Sequence, residues 1–279
     1  MRLFNKVGIV GVGLIGGSLA LGIKKYKLAR KILGVSRHKE SIARAKHLGV
    51  VDAGSINLNI IKDADLIVLA TPVMQLIEIL PKIFKLAKKG AVIIDVASTK
   101  NNVIQVANKF TDKDKIFVGC HPLAGSEKRG VVNASPDLFK NSLCIIVATK
   151  IKNASVLERI KKLWHALGAL TLELSAREHD KILAYISHLP HIAAYSLMRV
   201  IPIQYLKFSA QGLKDTTRIA SSEPRLWEEI FLTNRQEIIP LIKKYEYSLR
   251  YFKSLLVKKD ARRLRTFLKA SKYRRDKIL

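Results

Sequence analysis

Through the first 174 of 279 residues, short apolar runs alternate with stretches whose apolar positions recur every third or fourth residue. The runs at 6–10, 31–35, 66–70, 92–94, 116–118, 143–147 and 169–174 read as buried strands. Leu14, Ile15, Leu19 and Ile23 recur at helical spacing after the first run, and further helices are predicted near 38–48, 73–87, 99–109 and 153–166. This alternation predicts an α/β fold, an N-terminal Rossmann-type doubly wound parallel sheet over residues 1–174. Beyond it the strand signals stop. Residues 175–279 read as an all-helical C-terminal domain, with breaks expected at Pro202, Pro224 and Pro240. The chain is long enough for two domains, each with its own core, and shows no internal repeat or low-complexity linker.

The first run leads into Gly11-Val12-Gly13-Leu14-Ile15-Gly16, the strand, turn and helix setting that a dinucleotide fingerprint requires. Gly11 permits a tight turn, Gly13 lets the backbone approach a pyrophosphate, and Gly16 lets the helix pack close on the strand. The amides of Leu14 and Ile15 then open the helix toward the phosphates. At the end of the second strand, where an NAD-binding protein places an acid against the ribose, this chain has Ser36 and Arg37, and no carboxylate comes before Glu40. A hydroxyl and a guanidinium fork suit a 2′-phosphate, so NADP is expected over NAD.

Composition narrows the setting. Cys120 and Cys144 are the two cysteines, both in apolar strand-like surroundings, so no disulfide framework is expected. The first residues already read as a strand and no apolar run reaches spanning length, which predicts a soluble cytoplasmic protein without signal peptide or membrane anchor. Fifty Lys and Arg against 22 Asp and Glu give a net charge of +28. Such a field draws in anionic ligands. The basic residues are dense in the tail, where Arg262, Arg263, Arg265, Lys269, Lys272, Arg274 and Arg275 interleave with Leu264, Phe267 and Leu268 as a basic amphipathic helix. Charge pattern alone does not make a nucleic-acid interface, and none is expected.

In a doubly wound sheet, ligands gather beyond the carboxyl ends of the strands. The residues there are Gly11 to Gly16, Thr71 and Pro72, Asp95 to Ser98, and His121. His121 is the candidate acid–base group, because an imidazole titrating near neutrality can take the proton of an alcohol as hydride leaves carbon. Ser98 could bond the same hydroxyl, orient the imidazole or cap the helix expected at 99–109. Cys120 should point to the opposite face of its strand, into the core. His188 and His191 could share a helix face toward the cleft; their spacing fits no familiar zinc site, and no metal is expected. His188 is read as a substrate contact, and His191 is left without a role. Lys214 and Arg218, four apart, would project from one helical face and could bind a carboxylate.

Together these segments resemble the prephenate dehydrogenase family of tyrosine biosynthesis, which includes the arogenate dehydrogenases. The resemblance rests on GVGLIGGS at 11–18, DVASTK at 95–100, HPLAGSE at 121–127, EHD at 178–180, SHLPH at 187–191 and GLKDTTRIA at 212–220. It covers nearly the whole chain. It implies a Rossmann domain, a helical domain that forms a homodimer, and an active site between them. It also implies oxidative decarboxylation of prephenate or arogenate: hydride leaves the carbinol carbon for the nicotinamide, carbon dioxide departs and the ring becomes aromatic. By this resemblance His121 accepts the hydroxyl proton or hydrogen bond, Ser98 assists, Arg218 pairs with the ring carboxylate, and His188, Lys214 and Glu127 line the pocket. A rival reductase with a helical dimer domain would not account for both HPLAG and SHLPH, and a non-catalytic dinucleotide-binding protein with a basic tail would not need His121 and Arg218. Ser36 and Arg37 follow the NADP-preferring members. No room is expected for an appended mutase or regulatory domain.

Overall fold

The computed structural model describes residues 2–124, 130–150 and 153–278. The N-terminal elements run β1 (Phe4–Val10), α1 (Leu14–Lys25), β2 (Ala29–Val35), α2 (Lys39–His47), β3 (Ala53–Ser55), β4 (Leu66–Leu69), α3 (Val73–Leu86), β5 (Val92–Asp95), α4 (Asn101–Ala107), β6 (Ile116–Pro122), β7 (Leu143–Ala148), α5 (Ala154–Ala166) and β8 (Leu170–Glu173). They form one sheet of order β3-β2-β1-β4-β5-β6-β7-β8. Every neighbouring pair is parallel except β6 and β7. The order reverses between β1 and β4, so a crevice opens beyond their carboxyl ends.

Burial on both faces explains the continuous apolar strands. Val7 and Ile9 of β1, Leu66 and Val68 of β4, and Val118 and Cys120 of β6 enter one core layer; Val10, Ile67, Leu69 and Phe117 enter the other. Cys120 therefore lies in the core on the face opposite its neighbour His121, and both cysteines are buried and free.

Three expectations are corrected here. β3 lies at the sheet edge as three half-buried residues, Ala53, Gly54 and Ser55, too short and too small to give an apolar run. β6 extends to Pro122, because its pairing with antiparallel β7 continues through His121 opposite Ile145. His121 thus sits within the strand, paired through its backbone with β7. The helix expected at 99–109 opens only at Asn101.

The C-terminal elements are α6 (Ala176–Leu183), a π-helical turn Ala184–His188, α7 (Leu189–Val200), α8 (Gln211–Thr217), α9 (Pro224–Thr233), α10 (Arg235–Val257) and α11 (Ala261–Arg275). Ser175 and Glu178 form a capping box that starts α6 immediately after the sheet. Pro224 opens α9, but Pro240 lies inside α10 and does not break it. It removes one backbone donor, while Ile238 and Leu241 on either side pack with Ala184 in a small core. Among the described residues no helix is long and apolar enough to cross a membrane.

Candidate active site

A cavity of about 520 Å³ lies at the crevice between β1 and β4, lined by Gly11, Gly13, Ser36, Arg37, Thr71 and Pro72 among others. Its glycines are needed for different reasons. Gly11 has φ +96°, and a Cβ there would meet the Ala70 carbonyl oxygen at 2.5 Å. At Gly16 a Cβ would collide with the Gly11 carbonyl oxygen, whereas at Gly13 it would meet nothing within 4 Å. The backbone at Gly13 is therefore open to the cavity, at the N-terminus of α1, which has no side-chain cap. Leu14 and Ile15 form the first turn, and Ile15 packs on the core. Thr71 Oγ1 is buried without a hydrogen-bond partner among the described residues. Such an orphan costs about 1–3 kcal/mol unless a ligand satisfies it. The open glycine, free helix terminus and orphaned hydroxyl fit a dinucleotide.

Ser36 is half-buried and Arg37 exposed at the far end of the same cavity, where Arg44 and Glu40 also lie. Pro72 forms the N-cap position of α3 without a side-chain acceptor. The acceptor comes from the helical domain, where Glu229 Oε2 receives the Met74 N–H at 2.9 Å.

Near the carboxyl end of β6, a chain of buried polar groups leads from His121. Its Nδ1 lies 2.8 Å from His179 Nε2, and His179 Nδ1 lies 2.8 Å from Asp180 Oδ1. The same carboxylate accepts the amide N–H groups of Lys100 at 2.7 Å and Asn101 at 2.8 Å. Ser98 is half-buried and does not cap α4, since the N-cap position is Lys100 and the amides of Lys100 and Asn101 bond Asp180. Nearby, Lys100 is fully buried and its Nζ bonds Asp95 Oδ2 at 2.7 Å, while Asp95 Oδ1 accepts the Cys120 N–H at 3.1 Å. Burial pushes the His121 imidazole well below its ordinary value, and the Lys100 cation pushes it further. His121 is therefore neutral at physiological pH, as a proton acceptor must be.

His188 closes the π turn and is buried. Its Nδ1 lies 3.0 Å from Asn234 Nδ2, which also donates to the Asp180 carbonyl at 2.8 Å. Desolvation lowers His188 to about 4. His191 stacks on Trp227 with centroids 3.4 Å apart, and its Nδ1–H donates to the Ser187 carbonyl at 2.9 Å. His188 meets the same indole edge-on at 6.1 Å, so both histidines flank Trp227.

Lys214 and Arg218 do not share one α-helix. α8 ends at Thr217 and Arg218 opens a 3₁₀ turn, Arg218–Ser221, which changes the angular step between them. Both are exposed in the single chain. Arg218 lies near enough to His191 for its charge to lower that imidazole, and His188 acts on His121 in the same way. Glu127 lies outside the described residues.

His179, Asp180, Asn234 and Lys100 were not singled out from sequence. His179 and Asp180 stood within EHD and Lys100 within DVASTK, but nothing local tells that His179 meets His121 across 58 residues of chain or that Asp180 bonds the Lys100 amide.

Comparison with known proteins identifies the family. A family model described as "Prephenate dehydrogenase, nucleotide-binding domain" matches residues 19–173, and one described as "Prephenate dehydrogenase, dimerization domain" matches residues 175–270. The prephenate dehydrogenase of Bacillus subtilis (strain 168) is 34% identical, over 99% of this chain and 76% of its own. The crystal structure of prephenate dehydrogenase from A. aeolicus, in complex with hydroxyphenyl propionate and NAD+, superposes with a TM-score of 0.93 at 32% identity, covering 99% of this chain and 98% of the other. Synechocystis arogenate dehydrogenase gives a TM-score of 0.85 at 26% identity, covering 98% and 100%. With a dinucleotide crevice in the sheet domain and a buried imidazole at the end of β6 bonded to the helical domain, the chain belongs to the prephenate dehydrogenase family of nicotinamide-dependent oxidoreductases.

Proposed function

We propose that this protein oxidises and decarboxylates prephenate or arogenate, with NADP preferred over NAD. The observation that carries the reading is a neutral, buried His121 near the carboxyl end of β6, in the same sheet whose reversal between β1 and β4 opens the dinucleotide crevice. The bound nicotinamide would take the hydride; the residues of the chain handle the proton and the anion. His121 accepts the hydroxyl proton as the carbinol carbon is oxidised. Ser98 holds the same hydroxyl or the imidazole, and Arg218 pairs with the ring carboxylate through its planar fork. His188 and Lys214 line the substrate side, and the family resemblance gives Glu127, outside the described residues, the same role. Loss of carbon dioxide then leaves an aromatic ring, which drives the reaction forward.

NADP preference is supported by Ser36, Arg37 and Arg44 at one end of the cavity, with Glu40 the carboxylate they must outweigh. The helical domain serves as the homodimer interface, since Val200, Ile203, Tyr205 and Phe208 are exposed in the single chain. The domain boundary falls near 175, between the end of β8 and the start of α6. A steady-state assay with both substrates against both cofactors tests the reading. Turnover with either substrate, faster with NADP, is expected; no turnover with any of the four combinations would overturn it.

A further inference from the structure

We infer that His179 and Asp180 form a positioning pair that fixes the tautomer of His121, so that its Nε2 presents a lone pair to substrate. The inference rests on the reading of His121 as the proton acceptor and adds to it the device that prepares the acceptor.

The argument follows the protons along the chain. Asp180 already receives two backbone N–H groups, from Lys100 on Oδ1 and Asn101 on Oδ2. Amide N–H groups only donate, so the carboxylate acts as an acceptor and is held in place at the start of α4. It therefore takes the Nδ1–H of His179. A neutral imidazole that donates from Nδ1 carries its lone pair on Nε2, and His179 Nε2 is the atom that faces His121 Nδ1. His121 must then donate from Nδ1, which leaves its own lone pair on Nε2. The opposite tautomer would aim an N–H at the substrate hydroxyl and could not take a proton. Burial keeps water from competing at each link, since His179 is 0% and Asp180 1% exposed. Desolvation also lowers His179, which holds it neutral and fit to accept.

When the hydroxyl proton moves onto His121 Nε2, the imidazolium keeps its Nδ1–H bond to His179. The Asp180 charge then stabilises it through a polarised chain of hydrogen bonds. The pair works as the orienting carboxylate of a hydrolase triad does, with one imidazole interposed. Asn234 Nδ2 holds the Asp180 carbonyl and His188 Nδ1 together, so both domains support the pair: the amides at the start of α4 from one side and Asn234 from the other.

Nitrogen-15 histidine spectra of the full-length protein at neutral pH test the tautomer without reference to activity. The expected result is His121 and His179 both protonated on Nδ1, with His121 shifting to the other tautomer or a mixture in Asp180→Asn. In the assay, Asp180→Asn and His179→Leu should lose about 10²-fold or more in kcat, with KM changed by less than about threefold. His179→Gln, whose carboxamide oxygen can still accept from His121 Nδ1, should retain at least about tenfold more kcat than His179→Leu. A wild-type His121 protonated on Nε2 would overturn the inference, as would wild-type kcat in both Asp180→Asn and His179→Leu. If the wild type turns over neither substrate, the activity reading falls, and the spectra still decide the tautomer.

Discussion

At the scale of single residues, burial and one donor set the state of His188. Asn234 satisfies its Nδ1, but no anion compensates its charge fully, and desolvation lowers it to about 4 from 6.5. The unfolded chain therefore binds a proton between pH 6.5 and 4 that the folded chain refuses, so stability falls as pH falls through that window. The loss attributable to His188 should be about 2 kcal/mol between pH 7 and pH 5. Urea midpoints at both pH values should show it in the wild type and a flatter dependence in His188→Gln; equal slopes would remove His188 from acid sensitivity. His121→Asn should lower kcat by about 10²–10⁴-fold, while cofactor affinity, read by fluorescence titration, stays near normal. Arg37→Ala should weaken NADP binding by about 1–3 kcal/mol, with NAD binding little changed. A wild type that prefers NAD tenfold would contradict that assignment.

At the scale of elements, the seam between the domains is built from helix starts. α3 and α4 have no cap of their own at Pro72 and Lys100, and both are capped by carboxylates of the helical domain, Glu229 and Asp180. The Thr99 and Thr233 hydroxyls, 2.9 Å apart and buried, lie between these two points. Glu229→Ala should cost about 0.5–2 kcal/mol of stability by chemical denaturation, the usual worth of a cap. An unchanged midpoint would show the Met74 amide to be equally well served by water. Elements with strong local patterns were legible in advance: the strands, α1, α2, α3 and α5 follow periodicity within a few residues. β3 was not, because a half-buried three-residue edge strand has no apolar signature. The start of α4 was misplaced because its cap is 79 residues away in the chain. Pro240 misled because packing in the helical domain outweighs one missing hydrogen bond.

At the scale of the whole molecule, the +28 charge favours encounter with two anionic ligands, cofactor and substrate. The helical domain has a small buried core in the single chain and leaves Ile186, Val200, Ile203 and Phe208 between 63% and 82% exposed. Such surfaces are covered by a partner in stable assemblies. Light scattering should accordingly give twice the chain mass, and a monomer at micromolar concentration would refute the dimer. By itself the sequence determined the doubly wound α/β plan, the glycine turn and the residue types of the site, since each depends on short-range periodicity or on a few adjacent positions. The tertiary structure alone decided that β7 runs antiparallel to β6, that Lys214 and Arg218 fall on different helical turns, and that His179 and Asp180 stand behind His121. These depend on which distant groups share one buried volume, where every donor must find an acceptor, and no local pattern encodes that choice.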